Sequence, residues 1–218
     1  MQTPDARYLI RPERDEDHAE VRDVHRRAFG REVVATLVDT LRAAPAPLAP
    51  EGFVAVEAPA PDGPSGPGDV PAGGRVVGHV LLSASRLDAP SRLVDVLVLS
   101  PLGVRPGHQG RGLGTRLVRA ALDAADARGV PLVFLEGSPA YYAGRGFARA
   151  DALGFRSPSL RIPAPALQAA RLSAYQSWMT GTLVYAETFW ALDCVGLREE
   201  SPDAAAERAA DRATDQGA

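Results

Sequence analysis

Three glycines at alternate positions open onto a helix in the stretch Gln109-Gly110-Arg111-Gly112-Leu113-Gly114-Thr115. The residues that follow place Leu113, Leu117, Ala121 and Ala124 at helical spacing. The first amides of an α-helix have no partner within the helix, and its N-terminus carries partial positive charge. A turn of this kind therefore suits phosphate or another anion, with glycine letting the main chain approach closely. Arg111 adds a charge-assisted contact. The plain alternative is a loop-to-helix junction with glycine there for conformation alone. A dinucleotide fingerprint fits poorly, because GxGxxG counted from Gly110 puts its third glycine on Thr115.

The other side chains able to do chemistry are scattered. Tyr141 and Tyr142 form an aromatic pair, suited either to packing or to proton donation. Glu136 ends an apolar run, whereas Asp95 interrupts one. Histidines 18, 25, 79 and 108 have no ligand spacing, so no metal is expected, and each reads more readily as a structural residue than as a ligand. All 24 basic residues are arginine. Without lysine the chain has neither the Walker-A phosphate contact nor a Schiff-base amine. The single cysteine, Cys194, excludes an internal disulfide and any Cys-rich metal site, and suits a reducing, cytoplasmic compartment.

These residues need a frame. A chain of 218 residues, 45% apolar and 23% charged, can bury one sizeable core. No run reaches the roughly 18 apolar residues of a membrane helix, and the first residues are charged rather than leader-like. Residues 198–218 carry six acidic and three basic groups, which accounts for the whole net charge of −3. The neutral body gives no electrostatic case for nucleic acid or membrane and favours a small partner.

Strands are expected at residues 8–11, 53–57, 75–85, 93–104 and 130–136. Helices are expected from an N-cap at Asp15 to Gly30, over 32–42 and over 112–128. Pro101 interrupts the fourth strand, so that strand should bend away from its neighbour there. Residues 166–175 have helical propensity, and 182–190 read as a strand. The order gives a mixed α/β fold around one sheet. Residues 58–74, almost all Pro, Gly, Ala and Asp, read as a long mobile hairpin tip, and 198–218 as a disordered acidic, alanine-rich tail.

Two motifs in order carry a resemblance. Leu102-Gly103-Val104-Arg105-Pro106 followed by Gln109-x-x-Gly112-x-Gly114 resembles the acetyl-CoA signature of the GNAT superfamily of N-acetyltransferases. Tyr142-Ala143-Gly144-Arg145-Gly146-Phe147 resembles its YxxxGF element. The run EGSPAYYAGRGF is most similar to the bacterial branch termed YhbS-like.

The resemblance implies one GNAT domain over residues 5–197. Its sheet would be mostly antiparallel with splayed fourth and fifth strands, and 167–174 would be the penultimate strand despite the local propensity. It implies direct acetyl transfer from acetyl-CoA, as cosubstrate, to a primary amine of a small molecule or peptide. Leu102, Gly103 and Val104 would hold pantetheine; Gln109, Gly110, Arg111, Gly112, Leu113, Gly114 and Thr115 would hold the pyrophosphate. Tyr142 would be the general acid. For the base, Glu136 ranks first, with Asp95, His79, His108 and ordered water as alternatives. In this family the residue four before the tyrosine is often alanine, with an asparagine upstream; here it is Ser138, and the asparagine is absent. The junction Ala28-Phe29-Gly30-Arg31 would border the acceptor, with Phe29 either a pocket wall or a core residue. The roles of Arg156, Arg161 and Trp178, the acceptor's identity and a homodimeric state stay open. A catalytically silent acyl-CoA-binding domain is the alternative from a different class.

Overall fold

The computed structural model describes residues 7–58 and 74–196. The expected hairpin tip at 58–74 and the expected tail at 198–218 fall outside them, apart from Ala58 and Gly74.

Strand β1 (Tyr8–Pro12) leads into helices α1 (His18–Phe29) and α2 (Glu32–Ala43). An antiparallel run follows: β2 (Glu51–Glu57), β3 (Arg75–Asp88) and β4 (Leu93–Val104). After α3 (Leu113–Ala127) come β5 (Leu132–Glu136) and the single turn α4 (Pro139–Tyr142). The short strands β6 (Ala148–Arg149), β7 (Phe155–Arg156), β8 (Leu167–Arg171) and β9 (Gly181–Val184) precede the last helix, α5 (Glu187–Ala191). The sheet runs β1-β2-β3-β4-β5-β8-β6, with β9 joining β3 to β7. Its pairs are antiparallel except β4 with β5 and β7 with β9.

Side chains of a strand alternate between faces, and β4 splits accordingly. Val94, Val96 and Val98 join Val21, Val24, Leu37 and Phe189 in a core beneath α1, α2 and α5. Leu97 and Leu99 face the other way and pack with α3 through Leu113, Leu117, Val118, Ala121 and Ala125. Burying each such Leu or Val contributes about 1.5–3 kcal/mol. That stripe fixes α3 on the sheet and so fixes where its first turn points.

Two expectations need correction. Asp15 is not the cap of α1; it begins a short 3₁₀ turn, and Asp17 reaches back to accept the Arg14 amide at 2.8 Å. The penultimate strand that the resemblance implied over 167–174 is present as β8, three residues shorter, paired antiparallel with all five residues of β5, whose edge supplies hydrogen bonds that outweigh the local helical propensity. Residues 182–190 are not one strand. β2 covers β3 as far as Leu82, and β9 pairs only with Arg86, Leu87 and Asp88 before the chain turns into α5.

Candidate functional site

The expected bend occurs at Pro101. Opposite β3 the register slips between Val80 and Leu82, leaving Ser100 and Pro101 as the irregular pair. On the other side, β4 meets β5 only at Leu97–Val133 and Val98–Phe134. Beyond Phe134, Leu135 and Glu136 pair with β8 alone. The two central strands thus part, and a cleft of about 980 Å³ opens between them.

Main-chain groups face this gap. The Arg105 amide donates to the Val77 carbonyl at 2.8 Å, which marks the residues of β4 bonded to β3. By the alternation of an antiparallel ladder, Gly103 also bonds to β3, whereas Leu102 and Val104 turn their amides and carbonyls away from it. The Val104 carbonyl accepts from Gln109 Nε2 at 3.0 Å, so Gln109 ties the end of the strand to the turn.

At one end of the cleft lies the start of α3. Gly112 holds the N-cap position at φ +76°, a left-handed conformation that favours glycine, and no side chain caps the helix there. The orphan amides of the first turn are therefore open. Gly110, Gly112, Leu113, Gly114 and Thr115 line the cleft; Arg111 is exposed beside it, its guanidinium donating weakly to the Gly107 carbonyl at 3.4 Å.

Sequence reading missed Arg145 in this turn. Its guanidinium lies 3.8 Å over the Tyr141 ring and donates to Thr115 Oγ1 at 2.9 Å. The available signal was the YxxxGF element, in which Arg145 is an unspecified position. Tyr141 in turn packs its hydroxyl against Gly114, where any Cβ would meet it at 2.1 Å.

Tyr142 also lines the cleft, its ring edge-on to Tyr141 at 4.8 Å and to Phe147 at 5.7 Å. A Cβ at residue 137 would lie 2.4 Å from that ring, so Gly137 leaves room for it. Burial, reinforced by Tyr141, pushes the phenol up to about 12. Ser138 begins α4 by accepting the Tyr141 and Tyr142 amides through its carbonyl.

Glu136 lies at the end of β5 on the same cleft. Its Oε1 accepts from the Tyr185 hydroxyl at 2.8 Å and its Oε2 from the Gly196 amide at 3.0 Å. Burial raises its carboxyl above the ordinary value, against the pull of these two donors and of Arg161. Cys194 marks the neighbourhood: burial pushes its thiol up, Arg31 draws it back, and Asp193 and Glu136 push it further.

The remaining candidates separate. Asp95 is exposed, 3.6 Å from Arg86, and does not line the cleft. His79 is fully buried outside the cleft, where its Nδ1 and His25 Nε2 share a 2.7 Å hydrogen bond. His108 lines the cleft and bonds the Tyr8 hydroxyl at 3.3 Å. Phe29 is 43% exposed at the mouth, a wall rather than a core residue. Arg161 reaches Asp193 at 3.3 Å, Trp178 donates to Gln176 and lies under Arg92, and Arg156 is exposed. Among the described residues no cluster of three metal-ligating side chains occurs, and no helix is long and apolar enough to cross a membrane.

Known proteins resemble this chain in sequence and fold. The model of the acetyltransferase (GNAT) domain matches residues 9–150. The uncharacterised N-acetyltransferase YjhQ of Escherichia coli (strain K12) is 28% identical over 135 residues, 60% of this chain and 64% of that protein, so the chain spans under two thirds of its length. The structure of E. coli YhbS, a GNAT family N-acetyltransferase crystallised with CoA, superposes with a TM-score of 0.70 at 28% identity, covering 87% of this chain and 95% of that one. A GNAT family acetyltransferase from Brucella melitensis in complex with acetyl-CoA gives 0.61 at 26% identity, covering 84% and 97%. With the family model matching residues 9–150, well over half of its length, the chain belongs to the GNAT family of acetyltransferases.

Proposed function

We propose that the protein is an N-acetyltransferase that moves an acetyl group from acetyl-CoA directly to a primary amine. The observation that carries this reading is the open, uncapped start of α3 at the end of a gap whose wall presents main-chain groups turned away from β3. That gap suits an extended thioester arm, and the solved relatives with CoA and acetyl-CoA support the choice of ligand. When bound, acetyl-CoA supplies an activated acyl group with a thiolate leaving group.

The chain's own residues divide the work. Leu102 and Val104 extend β4 by main-chain bonds to the arm, as an added strand would, with Gly103 between them. Gln109, Gly110, Arg111, Gly112, Leu113, Gly114 and Thr115 cradle the diphosphate, and Arg145 adds its guanidinium beside Thr115.

Glu136 takes the amine proton. Its raised pKa makes it a better base than an ordinary carboxylate, and its two donors hold it still. The N–C bond forms as the C–S bond breaks, and the proton lost by nitrogen balances the one the sulfur gains. Tyr142 serves the leaving sulfur. A free thiol titrates near about 8.5, so full transfer from a phenol at about 12 is uphill, and hydrogen-bond donation carries most of its contribution.

The test is incubation with acetyl-CoA and a panel of amines while free thiol is followed, beside calorimetric titration of acetyl-CoA. Thiol release with at least one amine is expected. The Gly112→Asp variant, which sets a carboxylate at the phosphate site, should lose the binding heat, whereas Gly112→Asn, which meets the same left-handed backbone without the charge, should keep most of it at a similar melting temperature. Acetyl-CoA binding without thiol from any amine would make the protein a silent acyl-CoA-binding domain. No heat at all would remove the cofactor reading.

A further inference from the structure

The far end of the cleft, opposite the start of α3, holds an asymmetry of charge. Two arginines line the cleft. Arg145 is engaged by Thr115 and Tyr141. Arg31 has no side-chain hydrogen bond or ion pair among the described residues, although its neighbours are amply paired: Glu32 with Arg22, and Asp193 with Arg161. Arg31, Glu136 and Asp193 all line the cleft together with Cys194, and each acts electrostatically on its thiol. An exposed cation, unpaired among the described residues, thus shares the cleft with two carboxylates, Glu136 anchored by its two donors and Asp193 already paired with Arg161.

The cleft wall contributed by the residues around Arg31 is apolar. Phe29 contributes an exposed ring, held by stacking on His25 at 5.9 Å, and Val34 and Leu37 complete the wall. A polyamine would put a second positive charge beside Arg31 and is disfavoured by repulsion. A neutral amine would leave the guanidinium unanswered. A molecule carrying its own carboxylate answers both ends at once.

Resting on the transferase reading above, we infer that the acceptor is an amino-carboxylic acid with an apolar body, its carboxylate paired with Arg31 and its amine directed to Glu136. The guanidinium forks onto the carboxylate; Phe29, Val34 and Leu37 cover the apolar part; Glu136 receives the amine proton as the amide forms and the thiol departs. Arg31 is then the residue that sets acceptor specificity, and it has no part in holding the cofactor.

The experiment compares matched acceptors with wild type and Arg31→Gln. The acceptors are phenylalanine, leucine and aminobutyric acids of differing amine–carboxylate separation, each against its carboxamide, assayed above the amine pKa so that nucleophilicity is matched. A hydrogen-bonded charge pair is worth about tenfold or more in kcat/KM. Wild type should prefer the acid by that factor, chiefly through KM. Arg31→Gln should erase the preference while leaving carboxamide turnover and acetyl-CoA affinity unchanged. In parallel, phenylalanine binding to the protein saturated with CoA is measured by calorimetry.

Turnover of acids and carboxamides alike, unaffected by Arg31→Gln, would overturn the inference and leave the transferase reading intact. Arg31-dependent phenylalanine binding with no thiol release would uphold the anion site and overturn the transferase reading. Neither binding nor an acid preference would overturn the assignment of Arg31.

Discussion

Two groups of largely buried ionisable side chains lie in different parts of the molecule, and their partners decide how far burial moves each. On the α1 side of β4, His25, His79, Glu13 and Arg42 form a chain: His25 to His79 at 2.7 Å, His79 to Glu13 at 3.5 Å, and Glu13 to Arg42. Burial drives both histidines below their ordinary value, so they stay neutral. Burial pushes Glu13 up, but His79 and Arg42 outweigh it and hold its carboxyl low. At the end of β5, burial instead wins over Tyr185 and Gly196, and Glu136 titrates high. Only Glu136 lines the cleft. A displaced pKa is common to both groups; access to the cleft is what separates the proposed base from a brace.

The brace has a visible load. His25 Nδ1 lies 2.9 Å from where a Cβ of Gly103 would stand, so the strand proposed to hold the cofactor leans directly on this cluster. Several variants would break or sharpen the contrast. The largest effect belongs to Glu13→Ala, which leaves His79 without its acid and Arg42 with only Asp39. Losing one partner of a buried ion pair should cost about 3 kcal/mol in urea unfolding, with turnover per folded molecule unchanged. A fall in turnover with no loss of stability would reverse the assignment.

Next comes Glu136→Gln, whose single amide oxygen can accept from the Gly196 amide while its NH2 donates to the Tyr185 hydroxyl oxygen, so the fold should hold. It should lower turnover about a hundredfold. It should also abolish the acid limb of kcat/KM, which in wild type lies above the ordinary carboxylate value. An unchanged limb would return the base to ordered water.

Acid should then act on the two groups with opposite sign. The folded histidines bind fewer protons than the unfolded ones, so stability falls as pH drops from about 6.5 toward their folded values, by at most about 1.4 kcal/mol per pH unit for each. Glu136, raised in the folded state, binds more protons than when unfolded, so its contribution is lost as pH rises through its folded value. A His25→Asn chain whose stability falls as steeply with acid as wild type would contradict the first part. The smallest effect is expected of Tyr142→Phe: about tenfold lower turnover, with acetyl-CoA affinity nearly unchanged in calorimetry.

What the sequence disclosed follows from the range of the interactions. The turn at 109–115 and the bend at Pro101 are local, fixed by glycine, proline and apolar spacing, and both lie where the residues place them. β8 was hidden because ALQAARLSAY carries no strand signal of its own and takes its form from β5. The histidines, read as scattered, lose their separation when α1 packs on β3, 54 residues apart in sequence. The partners of Glu136 lie 49 and 60 residues downstream. No spacing rule connects them, since the end of β5, the residue just past β9 and the main-chain amide of residue 196 converge only once the chain has folded.

The hold of Gly196 on Glu136 has a temporal meaning. A ribosome delivers the cradle at 109–115 long before it delivers residues 185–196. A growing chain therefore carries the glycine-rich turn early, while the Glu136 carboxylate lacks one of its two donors until residue 196 has been added. Under the proposed reading, the base is clamped only after the cofactor turn has been made.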